Sequence, residues 1–210
     1  MERILIFIKH HLRFVWTIIE WGNGLVFSTI YKPKLGKVIP EVLNEFSVPP
    51  YSYRRIGLQD SGLIFELIKS QNLPDLKYFN PHGFDMASIK EQSKKNSFLM
   101  MGTFDGDKMA GYFFLRFFAN RECFVGRLVD KNYRGKGIGK VMNSIMYQIA
   151  WRMDFRCLST ISRNNSLVMR AHSKNSNMIV LKELQDDYLL VEFVRKVKDS
   201  YVRTNDGILL

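Results

Sequence analysis

Apolar positions along this chain change their period several times, and each change predicts an element. Ile4, Phe7, Ile8, Leu12, Val15, Trp16 and Ile19 recur three and four apart, the stripe of an amphipathic helix. Trp21-Gly22-Asn23-Gly24 ends or bends that helix. Residues 25–31 form a second apolar segment that Lys32-Pro33-Lys34 is expected to stop, and a short linker with Pro40 and Pro49-Pro50 follows. From Tyr51 the pattern becomes that of a mixed α/β domain. Residues 52–58 read as a strand, Asp60 caps a helix to about residue 70, and Asp85 caps another over 86–95. Two strands, 97–104 and 109–118, flank the Asp105-Gly106-Asp107 hairpin turn, and a third covers 121–129. Ile138, Val141, Met142, Ile145, Met146 and Ile149 then restore helical spacing over 137–153. Residues 155–161 read as a strand, 165–174 as a helix, and 178–184 with 188–197 as a hairpin around Gln185-Asp186-Asp187.

The junction of the third strand and its helix carries the chemistry. In VGRLVDKNYRGKGIGK, residues 125–140, three glycines at alternate positions bare the backbone where the helix begins. The first N–H groups of a helix lack internal partners and lie at the positive end of its dipole, so this turn suits a phosphate or pyrophosphate. It is not a P-loop, because Val141 stands where the hydroxyl is needed and the glycine spacing differs. Nor is it a dinucleotide fingerprint, since G-x-G-x-G replaces G-x-G-x-x-G. A turn that only caps its helix is the plain alternative.

The arrangement Arg134-x-x-Gly137-x-Gly139 after a strand ending Leu128-Val129-Asp130 closely resembles motif A of the GNAT acyltransferase superfamily. The order β-α-α-β-β-β-α-β-α-β-β over residues 52–197 matches the succession of that fold. The resemblance implies an α/β (α+β) architecture, a mixed, mostly antiparallel, splayed sheet flanked by helices. It implies acyl-CoA as co-substrate, either acetyl-CoA or a short hydroxyacyl-CoA, and no metal. Arg134, Gly135, Lys136, Gly137, Ile138, Gly139 and Lys140 would then cradle the pyrophosphate. The backbone of Arg127, Leu128 and Val129 would meet the thioester carbonyl and stabilise the oxyanion as an amine adds. Asn165, Met169 and His172 share one helical face. The family places an Asn at the cofactor arm and a Tyr seven residues later as the acid for the leaving thiolate. Here Asn165 takes the first place and His172 the second, either as general acid or as a surface residue.

Tyr78-Phe79-Asn80-Pro81-His82-Gly83-Phe84-Asp85 occupies the region that forms one wall of the acceptor pocket in GNAT folds. It resembles a P-H-x-F-D loop of bacterial sugar N-acyltransferases in surface-polysaccharide (O-antigen or capsule) synthesis. That implies Phe79, Asn80 and Asp85 as substrate-binding residues and His82 as base, or as orienter of a water; the plain reading of Asp85 is a helix N-cap. The acceptor so implied is the primary amine of a nucleotide-linked amino sugar, with Arg54, Arg55 or Arg127 available for its phosphates. The alternatives are a protein or peptide N-acetyltransferase, or a membrane-associated enzyme acting on a lipid-linked precursor.

Composition narrows the partners only modestly. The chain has 210 residues, 46% hydrophobic and 13% aromatic, which suits a globular domain with an appendage. A net charge of +11 without a run of five basic residues fits phosphate-rich small ligands as well as nucleic acid, which the cofactor motif makes the weaker reading. The two cysteines, Cys123 and Cys157, lie in strands and read as buried thiols. The expected organisation is a helical arm over 1–50, the acyltransferase domain over 51–200 and a tail over 201–210. The arm would pack on its own domain, join a homodimer or lie on a membrane surface through residues 1–31. Its apolar run is too short for a signal or a span, which points to a cytoplasmic protein.

Overall fold

A computed structural model describes residues 13–172, 175 and 177–195. The expected strands are present as a seven-stranded sheet in the order β1-β2-β3-β4-β5-β7-β6. Its members are β1 (Ser52–Arg55), β2 (Phe98–Asp105), β3 (Lys108–Phe117), β4 (Glu122–Val129), β5 (Arg156–Ser162), β6 (Met178–Glu183) and β7 (Tyr188–Phe193). All neighbours are antiparallel except β4 and β5. Those two are parallel because the long helix between them returns the chain to its starting edge, the geometry of a crossover connection.

The helices divide between the two faces. On one lie α2 (Lys32–Phe46) and α6 (Ile138–Arg152), and on the other α3 (Ser61–Lys69), the one-turn α4 (Leu73–Leu76) and α5 (Met86–Ser93), while α1 (Arg13–Val26) leads into α2 from outside both cores. The final helix, α7 (Ser166–His172), follows β5. The first core joins Leu35, Val38 and Val42 of α2 to Met142, Ile145 and Ile149 of α6 across Phe113, Leu115 and Cys123 of the sheet. The second packs Ile64, Leu67 and Ile68 of α3 and Ile89 of α5 on Met100, Tyr112 and Leu128. Both cysteines are buried and unpaired, facing each other across β4 and β5, and burial pushes both thiols up in pKa.

The region before the sheet departs from the sequence expectation. Lys32-Pro33-Lys34 does not stop the helix, and Pro40 is not in a linker. A π-helical turn at Phe27–Tyr31 carries the chain directly into α2, with Pro33 in its first turn and Pro40 inside it. Proline in a first turn loses no hydrogen bond that the helix would make. Pro40 does remove one, but Leu35, Val38, Ile39, Val42, Leu43 and Phe46 form a continuous apolar stripe against the core. Burial of that stripe outweighs the lost bond. Phe27 stacks on Phe117 at 4.9 Å, so residues 27–46 are part of the main core. Polar contacts hold α1 in place. Glu20 pairs with Arg116 at 2.7 Å and Lys95 at 3.0 Å, and Asn23 bonds the Phe117 carbonyl and the Ala119 amide. The expected helix upstream of residue 13 and the tail lie outside the described residues.

Phe27→Ala should cost about 3–5 kcal/mol in urea unfolding, the usual loss for a buried aromatic. Trp21→Ala, at a side chain 68% exposed, should stay within about 0.5 kcal/mol of the parent. Equal effects of the two changes would refute the packing described for this region.

Candidate active site

Strands β4 and β5 pair over three positions only: Glu122 with Arg156, Cys123 with Cys157 and Phe124 with Leu158. Beyond them the strands separate, although β4 runs on to Val129 and β5 to Ser162. The backbone groups there must find other partners. Even-numbered residues of β4 turn their amides and carbonyls toward β3, as the Asp130 amide on the Ala110 carbonyl (3.0 Å) shows. The alternation of an antiparallel pair therefore points the groups of Val125, Arg127 and Val129 into the gap. Ser159 Oγ donates to the Val125 carbonyl at 3.0 Å and so closes the crotch of the fork. The amides of Arg127 and Val129 remain directed into the opening. Leu128 contributes otherwise than expected, since its amide faces β3 and its side chain is buried in the second core.

The glycine turn stands at the wide end of this fork. Gly135 and Gly137 have φ of 78° and 81°, the left-handed region in which any side chain would be strained. Side chains at either position would project into open space, so the bare backbone faces a site wide enough for a ligand. The turn is clamped from below. Gln71 Nε2 donates to the buried Asp130 carboxylate at 3.2 Å, and Gln71 Oε1 accepts from the Lys131 amide at 3.2 Å. Asp130 also accepts from the Asn132 amide at 2.8 Å, and Arg134 pairs with Asp75 at 3.2 Å. Arg134 thus ties the turn to α4. Lys136 and Lys140 are exposed, Lys136 lying 4.7 Å from the Tyr133 ring centroid.

Fork and turn open into one cleft of about 430 Å³. Arg127, Leu128, Val129, Arg134, Gly135, Gly137, Ile138, Gly139, Asn165, His172 and Phe79 all line it. Asn165 also accepts from the Val168 amide at 3.2 Å and so caps α7. Sequence reading had not singled out Asn143, Tyr147 or Ser159, which line it too. Asn143 and Tyr147 lie one turn apart on α6, next to its apolar stripe. Nothing in their spacing marks them until β4 is placed opposite.

The proposed acceptor loop is not assembled as a site. Phe79 forms part of the cleft wall, edge-on to Tyr112 at 5.9 Å, but Asn80, His82 and Asp85 do not line the cleft. Asp85 is exposed and caps α5 by accepting from the Ser88 amide at 2.9 Å. His82 Nδ1 lies 2.7 Å from the Gly83 carbonyl, which only accepts, so Nδ1 carries the proton. Nε2 is left to accept from the Tyr112 hydroxyl at 3.0 Å. The lone pair that a base needs is therefore engaged, and burial holds the imidazole pKa below its usual value. Arg54 forms a two-pronged pair with Asp60 at 2.9 Å on each side, which engages one of the cations considered for sugar phosphates.

His172 is buried, 5.2 Å from the Phe193 ring, with the Asn175 amide 3.3 Å from Nδ1. Burial first and the Arg127 charge second lower its pKa to about 4. It is neutral at pH 7, and with Nδ1 accepting from the Asn175 amide its proton sits on Nε2, so the cleft wall holds an imidazole and not an imidazolium. Among the described residues no group of three His, Cys, Asp or Glu side chains is placed to hold a metal ion, and no helix is long and apolar enough to cross a membrane.

The fold is that of GNAT acetyltransferases. PaiA N-acetyltransferase from Thermoplasma acidophilum, solved in complex with coenzyme A, superposes with a TM-score of 0.59 at 15% identity, over 69% of this chain and 99% of that one. The GNAT domain of S. lividans PAT gives 0.59 at 12% identity, over 67% and 88%. The ribosomal-protein-S5-alanine acetyltransferase from Vibrio fischeri gives 0.53 at 16% identity, over 74% and 97%. No protein-family model and no curated protein matches the sequence.

The buried His172 makes stability depend on pH. The unfolded chain binds a proton below about pH 6.5, whereas the native imidazole does so only below about 4. Stability should therefore fall as pH drops from 6.5 to 4, by up to about 3 kcal/mol from this group. Urea unfolding of His172→Gln should show a shallower loss over that range. An unchanged slope would mean that His172 is hydrated in the native state.

Proposed function

We propose that the protein is an acyl-CoA-dependent N-acyltransferase whose acceptor is the primary amine of a protein or peptide. The observation that carries the reading is the fork in β4 and β5, opening at a left-handed glycine turn on a helix N-terminus. The turn supplies bare amides and open space, which fit a pyrophosphate. The fork supplies two inward amides, of Arg127 and Val129, beside a narrow channel that fits a pantetheine arm.

An acyl-CoA brings an activated carbonyl carbon. The chain orients that thioester and directs the Arg127 and Val129 N–H groups at its oxygen, where each fixed donor contributes about 3 kcal/mol as negative charge develops. The amine nitrogen bonds to the carbonyl carbon, the carbon–sulfur bond breaks, and CoA leaves as the thiol with the proton that the nitrogen gives up. His172 acts as a neutral hydrogen-bond donor toward the sulfur, a modest demand because a thiolate is a tolerable leaving group. With the His82 lone pair held by Tyr112, the amine loses its proton to water in the cleft. Neither cysteine takes part, because both are buried in the core.

Two observations support a protein or peptide acceptor over a nucleotide-linked amino sugar. Asn80, His82 and Asp85 do not converge on the cleft, and the solved structures that share the fold include an acetyltransferase of a ribosomal-protein alanine. Two exposed apolar surfaces are open to further contacts, one in the arm from which the sequence expected them and one in β6, which the sequence did not single out. Ile18, Trp21 and Leu25 of α1 suit a membrane surface, and Ile179, Val180 and Leu181 of β6 suit a homodimer.

Thiol release should be measured with acetyl-CoA against peptides with free α-amines and against nucleotide-linked amino sugars. Turnover is expected with a peptide. Gly137→Val should raise the acyl-CoA KM by at least about tenfold, through strain at a left-handed residue and a blocked phosphate site. Turnover with a sugar alone would overturn the acceptor, and failure of CoA to bind at all would overturn the class.

A further inference from the structure

Most buried or half-buried arginines in this fold are matched by an acid. Arg116, Arg134 and Arg152 each meet a carboxylate. Arg127 does not. Its guanidinium crosses from β4 to the first turns of α6 and lies against the Cα of Gly139, where a methyl group would come within 3.1 Å of Nη1. Nε donates to Asn143 Oδ1 at 2.7 Å. The four N–H groups on Nη1 and Nη2 have no protein acceptor among the described residues, and no carboxylate there lies within ion-pair distance. Burial is deep enough to lower the pKa of this guanidinium. A half-buried cation on a cleft wall with no counter-charge beside it favours an anion supplied from elsewhere.

The surroundings are those of an anion site. Arg127 lines the cleft together with Asn143, Tyr147 and His172. The Tyr147 hydroxyl is buried without a hydrogen bond of good geometry, although the Asn175 amide is near enough to influence its acidity. His172 is neutral at pH 7. Arg134 and Asp75 also line the cleft but are paired with each other, so the wall around Arg127 offers one uncompensated positive charge and several donors. Its position is equally informative. The Arg127 amide faces into the fork, where the thioester carbonyl binds on the reading above, while the side chain of the same residue reaches toward α6. An acyl tail that runs from that carbonyl toward α6 meets the guanidinium.

We propose that Arg127, with Asn143 and Tyr147, selects an acyl-CoA whose short acyl group ends in a carboxylate, a dicarboxylic monothioester of the succinyl kind. This inference rests on the acyltransferase reading. The transfer itself is unchanged: the carbon–nitrogen bond forms, the carbon–sulfur bond breaks, and the distal carboxylate stays ionised on the Arg127 fork throughout. The product amine is thereby converted from a cation to an anion.

The test is calorimetric binding, without acceptor, of free CoA, butyryl-CoA, 3-hydroxybutyryl-CoA and succinyl-CoA to the full chain. Succinyl-CoA should bind about ten- to a hundredfold more tightly than butyryl-CoA, the usual scale for a charge-assisted hydrogen bond to a buried partner. Arg127→Leu should remove that preference and leave free CoA unaffected, and Arg127→Lys should retain part of it. Thermal melts of both variants establish that the fold is intact, which a leucine against α6 favours. Equal binding of succinyl- and 3-hydroxybutyryl-CoA would overturn the proposal by showing that charge is not read. Loss of free CoA binding in Arg127→Leu, in step with succinyl-CoA, would also overturn it, because the guanidinium would then serve the cofactor phosphates. Absence of CoA binding by the parent chain would remove the acyltransferase reading, and this inference with it.

Discussion

The separation of β4 from β5 after three residue pairs is the constraint on which the rest of this structure depends. A parallel pair in mid-sheet normally continues its ladder, because each broken rung leaves an amide and a carbonyl to be hydrated or otherwise bonded. Here the glycine turn and the N-terminus of α6 follow β4 directly at the open end of the pair. The broken rungs are handled unequally: the Ser159 hydroxyl satisfies the Val125 carbonyl, and the amides farther along are left to the cleft. The same break that costs sheet hydrogen bonds creates a channel lined with donors that have no competing partner. Binding chemistry is therefore built into the backbone, with side chains of varied identity permitted around it.

A glycine-rich turn is conformationally free in isolation, so something must hold it open. That role falls to a polar clamp distant in sequence. Gln71, at the end of α3, bridges the Asp130 carboxylate and the Lys131 amide, and Arg134 is anchored on Asp75. These bonds join the turn to the opposite face of the sheet from α6, so the native shape of the turn rests on elements of both faces. The expectation that Arg134 serves the cofactor is accordingly broadened. Its side chain lines the cleft but is also a structural tie.

The two histidines show how burial decides a role that residue type leaves open. Both were candidates for proton transfer, and both are held below their usual pKa by desolvation. In His82 both ring nitrogens are occupied, by Gly83 and Tyr112, outside the cleft wall. His172 does reach the cleft, yet as a neutral ring beside the Arg127 charge. Among the described residues, the arginine that lines the cleft without a carboxylate partner is Arg127, which the sequence offers for its amide and, among other cations, for sugar phosphates.

By itself, the sequence determined the succession of strands and longer helices from Ser52 onward, without the one-turn α4, and the antiparallel hairpins and the glycine turn. Those follow from local periodicity and from backbone freedom at Gly135 and Gly137, which neighbouring residues largely dictate. It misread the prolines of α2, because a breaker weighs heavily in a local pattern and the burial that overrules it is supplied by strands far along the chain. The fork was implied only through resemblance, since the end of a ladder is a relation between two strands. Which side chains share the cleft was decided by tertiary structure alone. Asn80 and Asp85 looked like ligands beside Phe79 but diverge from it, while Arg127, Asn143, Tyr147 and His172 come together from β4, α6 and α7. Convergence of that kind depends on how elements pack, and no spacing within one element records it.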